Sequence, residues 1–315
     1  SVPIVPETLP AVGNLWSAGR ALEGELSVAP VAPASAPGEQ DCFIKDDSGV
    51  LFKSISAGFG TTVGLDINNM PWATGYNYSV FRIIDQTMNT NVMVMQPWNP
   101  RNMQPGTWRD LKTAHWAVHG IHEDRTLWVV GHNINGRLGL GDTTDRDSLT
   151  QVNGTNPPSA PDQWDKVFPG YHVTHLLDVN GHLWTAGVNT YGAHGNGTFG
   201  ASAGSLVPRL LNTTDTWTKV LTGEHHSIAM KPDGTLWATG RNNFGQLGVG
   251  DFDDRATWTQ IGTDTWLDFC VGFSHTIGVK SDGTLWGWGE NERLQAGQFD
   301  HVFPTADYDS PTQIG

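Results

Sequence analysis

Basic residues are scarce. The 315-residue chain carries 18 Lys and Arg against 32 Asp and Glu, a formal charge of −14 with histidine neutral. That balance argues against a nucleic-acid partner, because phosphate contacts draw on an excess of Lys and Arg. Cysteine is nearly absent. Cys42 and Cys270 are too few and too distant for a disulfide framework or a zinc site, so both read as buried free thiols. No run of about 18 apolar residues occurs, which excludes a helical membrane span. The opening Ser1-Val2-Pro3-Ile4-Val5-Pro6 lacks the basic-then-apolar pattern of a signal peptide. Low complexity is confined to the Pro/Ala stretch from Ala29 to Pro37, read as a short loop or linker. Neither a His-Glu-x-x-His helix, a nucleophile elbow nor a phosphate loop is found.

What is abundant is glycine (38) and tryptophan (14). Chains poor in Lys and rich in these two are β-rich with tight turns. The tryptophans keep a constant ruler. Gly223 to Gly240 reads G-E-H-H-S-I-A-M-K-P-D-G-T-L-W-A-T-G, and Gly272 to Gly289 reads G-F-S-H-T-I-G-V-K-S-D-G-T-L-W-G-W-G. End glycines stand 17 apart, with Trp237 and Trp286 three residues before the second. The same ruler fits Gly58 to Gly75 (Trp72), Ala114 to Gly131 (Trp128) and Gly170 to Gly187 (Trp184). A sixth copy survives as Gly13-Asn14-Leu15-Trp16-Ser17-Ala18-Gly19. An aromatic precedes the opening position by six in five copies: Phe52, Trp108, Trp164, Trp217 and Trp266. An asparagine follows the closing glycine by two at Asn77, Asn133, Asn189, Asn242 and Asn291.

Each unit reads as short strands separated by turns. Ser227 to Met230 leads into the Asp233-Gly234 hairpin turn, followed by the Leu236-Trp237 strand. A glycine-rich turn (Asn243 to Gly248) and a looser strand ending Thr259-Gln260-Ile261 complete it. Four strands per period of about 50 residues describe a propeller blade. The expectation is an all-β propeller, one domain over residues 1–315, with insertions at about 21–47 and 76–107. Six blades are counted, seven if an irregular one escapes detection. Stacked blades bury faces that one sheet cannot cover alone, so Trp16, Trp72, Trp128, Trp184, Trp237, Trp286, Trp108, Trp164, Trp217 and Trp266 are read as core.

Gly272-Phe273-Ser274-His275-Thr276, the Asp282-Gly283 turn, Leu285 to Asn291 and Gly240 to Gly250 resemble the repeat of the regulator-of-chromosome-condensation (RCC1-like) propellers. The resemblance is most faithful from about residue 108 onward. It implies a propeller, usually of seven blades in that family. The first copy lacks its leading aromatic and opening glycine, so ring closure falls to irregular residues, to a partner or to an open notch. An unpaired edge strand there is a candidate assembly site.

Catalytic and metal residues are not assigned, and no cofactor is expected. His119 and His175 lie five residues after the opening position, where other copies carry Val63, Ile228 and Ile277. Internal hydrogen bonding is the expected role and a shared metal the alternative. His226 and His275 occupy the position usual for a histidine in the family. The acids in Asp251 to Asp254 and Asp142 to Asp147 read as solvated turn residues, and Lys231 and Lys280 beside the Asp-Gly turns as ordinary ones. Four tryptophans fall off the ruler: Trp98, Trp116, Trp258 and Trp288. Met93, Met95, Trp98, Arg101 and Met103 form a candidate protein-contact loop, enriched in the Met, Trp and Arg of interfaces. Packing over a blade edge is the alternative.

These features predict a non-enzymatic protein-interaction or assembly module. The favoured setting is a structural or decoration component of a virus (bacteriophage) particle, with virion proteins or copies of itself as partners. A guanine-nucleotide exchange factor for a small GTPase is the alternative that the resemblance implies, in a cytoplasmic setting. A secreted inhibitor or lectin-like binder is another. A photoreceptor version is disfavoured, because Gly-Trp-Arg-His-Thr is replaced by Gly-Phe-Ser-His-Thr at 272–276 and Gly-Glu-His-His-Ser at 223–227.

Overall fold

The computed structural model describes residues 16–20, 39–45, 50–58, 61–75, 92–98, 107–152, 163–200, 204–297 and 306–315. Among them every regular element is a strand. The chain forms two compact units.

Unit 1 comprises Ser1–His132 with Asp145–Gln151. It holds a two-stranded sheet, β1 (Trp16–Arg20) with β2 (Glu39–Lys45). It also holds β3 (Phe52–Ala57), β4 (Thr61–Asp66), β5 (Pro71–Gly75) and β6 (Val92–Pro97) in one sheet. The third sheet is β7 (Trp108–Ala114), β8 (Ala117–His122), β9 (Leu127–Gly131) and β10 (Arg146–Gln151).

Unit 2 comprises Asn133–Thr144 with Val152–Gly315. Its first sheet is β11 (Trp164–Pro169), β12 (Val173–Asp178), β13 (Leu183–Gly187) and β14 (Ser205–Leu210). The second is β15 (Lys219–Thr222), β16 (His226–Met230), β17 (Leu236–Gly240) and β18 (Arg255–Gln260). The third is β19 (Trp266–Val271), β20 (His275–Lys280), β21 (Leu285–Gly289) and β22 (Tyr308–Gln313).

Six repeat copies predict six blades, but the described residues contain five four-stranded sheets. The reason lies in strand order. Every complete sheet runs in sequence order, all antiparallel, with the strand that carries the ruler's Trp third. Among the described residues the sixth copy shows one two-stranded pair, β1 with β2, and no four-stranded sheet. Among the described residues the count of four-stranded blades is five, neither six nor seven. The two expected insertions each contain a strand, β2 and β6; residues 21–38 and 76–91 lie outside the described residues.

The ruler has a physical cause at each mark. The leading aromatic sits just before a register shift in β3, β7, β11 and β19; such bulges re-aim a side chain. Its ring lies over the station six after the opening position. A Cβ at Gly120 would come within 2.5 Å of the Trp108 ring, and one at Gly278 within 2.7 Å of Trp266. The buried asparagine staples the loop between strands three and four. Asn242 Oδ1 accepts from Leu247 N (2.9 Å) while its Nδ2 donates to Asp251 O (2.7 Å). Asn189 repeats this with His194 N and Thr198 O (both 2.9 Å).

Trp108, Trp164, Trp217 and Trp266 are buried, as is Trp184; Trp72, Trp128, Trp237 and Trp286 are half-buried. Trp98 is also buried, its ring 6.5 Å from Trp108 in the core of unit 1 with Leu65, Leu111 and Val130. The core of unit 2 includes Trp288, whose indole N–H donates to Gln246 O (3.1 Å). Cys270 is exposed rather than buried, because it takes an outward station on β19. Cys42 lies on β2, whose side chains fall outside the description.

Candidate functional site

In an antiparallel four-stranded sheet, the turn between strands one and two and the loop between three and four emerge at the same edge. In unit 2 that edge gathers an aromatic and histidine cluster. Each hairpin turn is two residues beyond its opening glycine: Tyr171-His172, Glu224-His225 and Phe273-Ser274. The turns are closed by backbone bonds from Gly170 N to Val173 O, Gly223 N to His226 O and Gly272 N to His275 O (2.8–2.9 Å). Opening glycines are needed here. A Cβ at Gly223 or Gly272 would strike the ring of His226 or His275, which folds back within 2.3 Å and 2.1 Å of it. Closing glycines are needed too. Gly187 and Gly240 take φ of 109° and 107°, and a Cβ there would lie 2.2 Å and 2.4 Å from the carbonyls of His172 and His225.

The turns are thus pinned by main chain before any side chain acts. His172 O accepts from Val188 N (3.1 Å), and His225 O from Arg241 N (3.0 Å). Glu224 N donates to Phe273 O (3.0 Å), and Arg137 Nη1 to Tyr171 O (2.7 Å). On this base the rings meet. His172 and His225 stack at 4.7 Å with planes 12° apart. Tyr191 lies 4.6 Å from His225, and Arg241 sits over Tyr191 at 4.9 Å. Tyr171 meets Phe273 edge-on at 6.2 Å, and Phe273 itself is 57% exposed.

Burial sets the charges. Desolvation lowers the pKa of His225, and the nearby Arg241 lowers it further, which favours the neutral form of that ring. The Glu224 carboxyl is raised by burial, with Arg241 pulling the other way. His226, fully buried behind the turn, is lowered to about 3 by burial and by its neighbours His275 and His225. Phe199 and Phe252, on the loops between strands three and four, add exposed apolar surface at the same edge.

The residues singled out from sequence fare unevenly. His175 is buried, its Nε2 2.9 Å from Ser227 Oγ, and burial lowers its pKa to about 3. That is the internal hydrogen bond expected of it. His119 is buried in unit 1. Of the candidate contact loop, Met93 and Met95 fall on β6, whose side chains there are outside the description, and Trp98 is core. Arg101 and Met103 lie outside the described residues. Tyr171, Tyr191, Glu224, Arg241 and Phe273 were not expected as a site. The available signal was a histidine two residues after the opening glycine in two successive copies, His172 and His225.

The regulator of chromosome condensation (RCC1) repeat matches residues 217–246 and 267–295 in one form and 233–279 in another. The ultraviolet-B receptor UVR8 of Arabidopsis thaliana is 32% identical over 143 residues, covering 45% of this chain and 31% of that protein. The regulator of chromosome condensation of Mus musculus is 30% identical over 124 residues, covering 38% of this chain and 28% of that protein. The matched region thus spans about a third of these relatives. Both are named as a receptor or a regulator rather than by a reaction. Prp20p of Saccharomyces cerevisiae, solved with its binding properties to Gsp1p and histones, superposes with a TM-score of 0.75 at 18% identity, covering 96% of this chain and 74% of that one. At that identity the likeness speaks for the fold. Repeat, relatives and fold agree: the chain is an RCC1-like repeat β-propeller with five four-stranded blades among its described residues.

Proposed function

We propose that this chain is a non-enzymatic protein-recognition module that binds its partner through the loop edge of unit 2, and that the partner is a small GTPase. One observation carries the proposal. Tyr171, Tyr191, Phe273 and Arg241 stand together on turns that main-chain bonds hold rigid. Tyr, Arg and Phe are the residues that dominate protein interfaces, and rigid presentation spares the ordering cost of binding. The GTPase draws support from the RCC1-like character of the chain and from Prp20p, whose structure was reported with its binding to Gsp1p. A role as a virus-particle component has no comparable support.

The test is a fluorescent-GDP release assay on a panel of purified small GTPases. One member should release nucleotide faster with this chain present, and Phe273→Ala or Arg241→Glu should weaken that effect at least tenfold, the size of a truncated hot spot. No acceleration across the panel, or acceleration that ignores both substitutions, sinks the reading.

A further inference from the structure

We propose that His172, Glu224 and His225 form a binding site for a zinc-class divalent cation, with one coordination position left open. One ligand atom of each residue lies within 4.8 Å of the others. Two imidazoles and a carboxylate are the donor set that borderline cations such as Zn²⁺ prefer, and three protein ligands leave a fourth position for water or an incoming side chain. The inference does not rest on the protein-recognition reading, since the cation needs no partner to bind.

The backbone is already arranged for this. His172 is held by Val188, His225 by Arg241 and Glu224 by Phe273 through the main-chain bonds above, so the ligands come from two adjacent blades at fixed separation. All three side chains are half-buried, open to an ion yet shielded from bulk water. Asn135 supplies the supporting contact. Its side-chain amide meets His172 Nδ1, and with the amide turned over its oxygen accepts the Nδ1 proton, leaving Nε2 to bind the ion. Neutral histidine is the ligating form, so binding should weaken as the pH falls.

Two adjustments accompany binding. Parallel stacked rings cannot both aim in-plane lone pairs at one ion, so the His172–His225 stack must fan open about χ2 until each nitrogen is about 2.1 Å from the metal. Arg241, which acts electrostatically on both Glu224 and His225, opposes a second cation nearby. Its placement over the Tyr191 ring draws it aside. A bound ion would tie the second and third repeats of the ruler's faithful region together at their turns.

The experiment uses the full, untagged chain freed of metal with a chelator, titrated with Zn²⁺ by calorimetry and with Co²⁺ by visible absorption. One equivalent should bind at micromolar protein, with the intense d–d bands of four- or five-coordinate Co²⁺. His225→Ala should lose at least a hundredfold in affinity. Glu224→Gln, nearly the same shape, should lose at least tenfold with an unchanged melting curve. Arg241→Gln should bind more tightly. Absence of stoichiometric binding, six-coordinate Co²⁺ spectra only, or affinity indifferent to both His225→Ala and Glu224→Gln overturns the proposal. GTPase release measured in chelator is a separate readout, so failure of either proposal leaves the other standing.

Discussion

Two sheets of unit 2 hold the same tryptophan in opposite ways. In β11–β14 the buried carboxylate of Asp178 accepts the Trp184 indole N–H (3.1 Å), two backbone N–H groups of Asn180 and His182 (2.8 and 3.1 Å), and lies 3.1 Å from His182 Nδ1. In β19–β22 the corresponding station is Lys280, whose ammonium lies 3.4 Å from the Trp286 ring centroid. There the Trp286 N–H goes instead to Thr284 Oγ1 (2.7 Å), and Thr284 in turn is bonded to Asp282. The carboxylate has moved two residues along the hairpin. Three positions change together: Asp178-x-Asn180-x-His182 becomes Lys280-x-Asp282-x-Thr284. β15–β18 follows the second pattern with Lys231, Asp233 and Thr235, and in unit 1 Asp66 follows the first. A blade requires an acceptor for its indole and caps for its turn; it does not prescribe which residue supplies them.

The largest effect must be separated from this comparison before it can be read. His175, His194 and His226 are buried in unit 2, and burial lowers their pKa values to about 3, 4 and 3. The unfolded chain takes up these protons near pH 6.5 and the folded one does not. Folding stability is therefore undiminished above about pH 6.5 and falls as pH drops toward 4. Each histidine contributes roughly 1.4 kcal/mol per pH unit, about 2 kcal/mol by pH 5 and about 6 kcal/mol for all three. Urea midpoints measured from pH 7.5 to 5 should show this loss, with about one proton fewer taken up on unfolding by His226→Gln. A flat profile across that range would mean the three rings are not buried neutral.

Above pH 6.5 the two solutions separate. Asp178→Ala leaves the buried Trp184 indole N–H without its acceptor and removes the cap on the Asn180 and His182 amides, which costs roughly 3 kcal/mol. Asp282→Ala removes an exposed carboxylate whose amides turn to water, leaving Trp286 bonded to Thr284, so its loss should be a small fraction of the first. Matched urea melts at pH 7.5 give the ratio. Equal losses would show that the carboxylate's burial is not what matters.

Much of this was legible in the sequence, and the gaps have physical reasons. The ruler was visible because each mark answers a local steric need. A glycine sits where a ring or carbonyl leaves no room for Cβ, and an asparagine where a loop needs both a donor and an acceptor. The Asp/Lys exchange was present in the letters too, yet Lys231 and Lys280 read as ordinary because a lysine's ring partner lies on a neighbouring strand. The His172–His225 stack stayed hidden for a similar reason. Its members are separated by 53 residues and meet only because successive sheets pack turn beside turn. Trp98 carried two readings, a contact loop or packing over a blade edge, and its burial agrees with packing. Its Met- and Pro-rich setting reads as an interface, whereas the fourth strand carries it into the core beside Trp108. The blade count differs because a tryptophan marks one strand of a repeat and not a full sheet: the Trp16 copy shows two strands among the described residues.

The smallest effect tests whether the lysine is a working half of the second solution or a bystander to it. Lys280 also lies 5.5 Å from the Trp266 ring centroid and 2.7 Å from Asp264, whose side chain is 55% exposed. Lys280→Met keeps the apolar stem packed against both indoles and removes only the charge, so the loss should be about 1 kcal/mol, summed over a ring contact and a screened ion pair. Salt divides the two. Raising ionic strength to about 1 M suppresses the ion pair but leaves the ring contact, so the Met variant should recover part of its deficit and not all. Full recovery would reduce Lys280 to a surface charge, and the indole would then be held by Thr284 alone. A loss matching that of Asp178→Ala would instead make the cation the equal of the buried carboxylate, and the two hairpins would be equivalent in energy as well as in role.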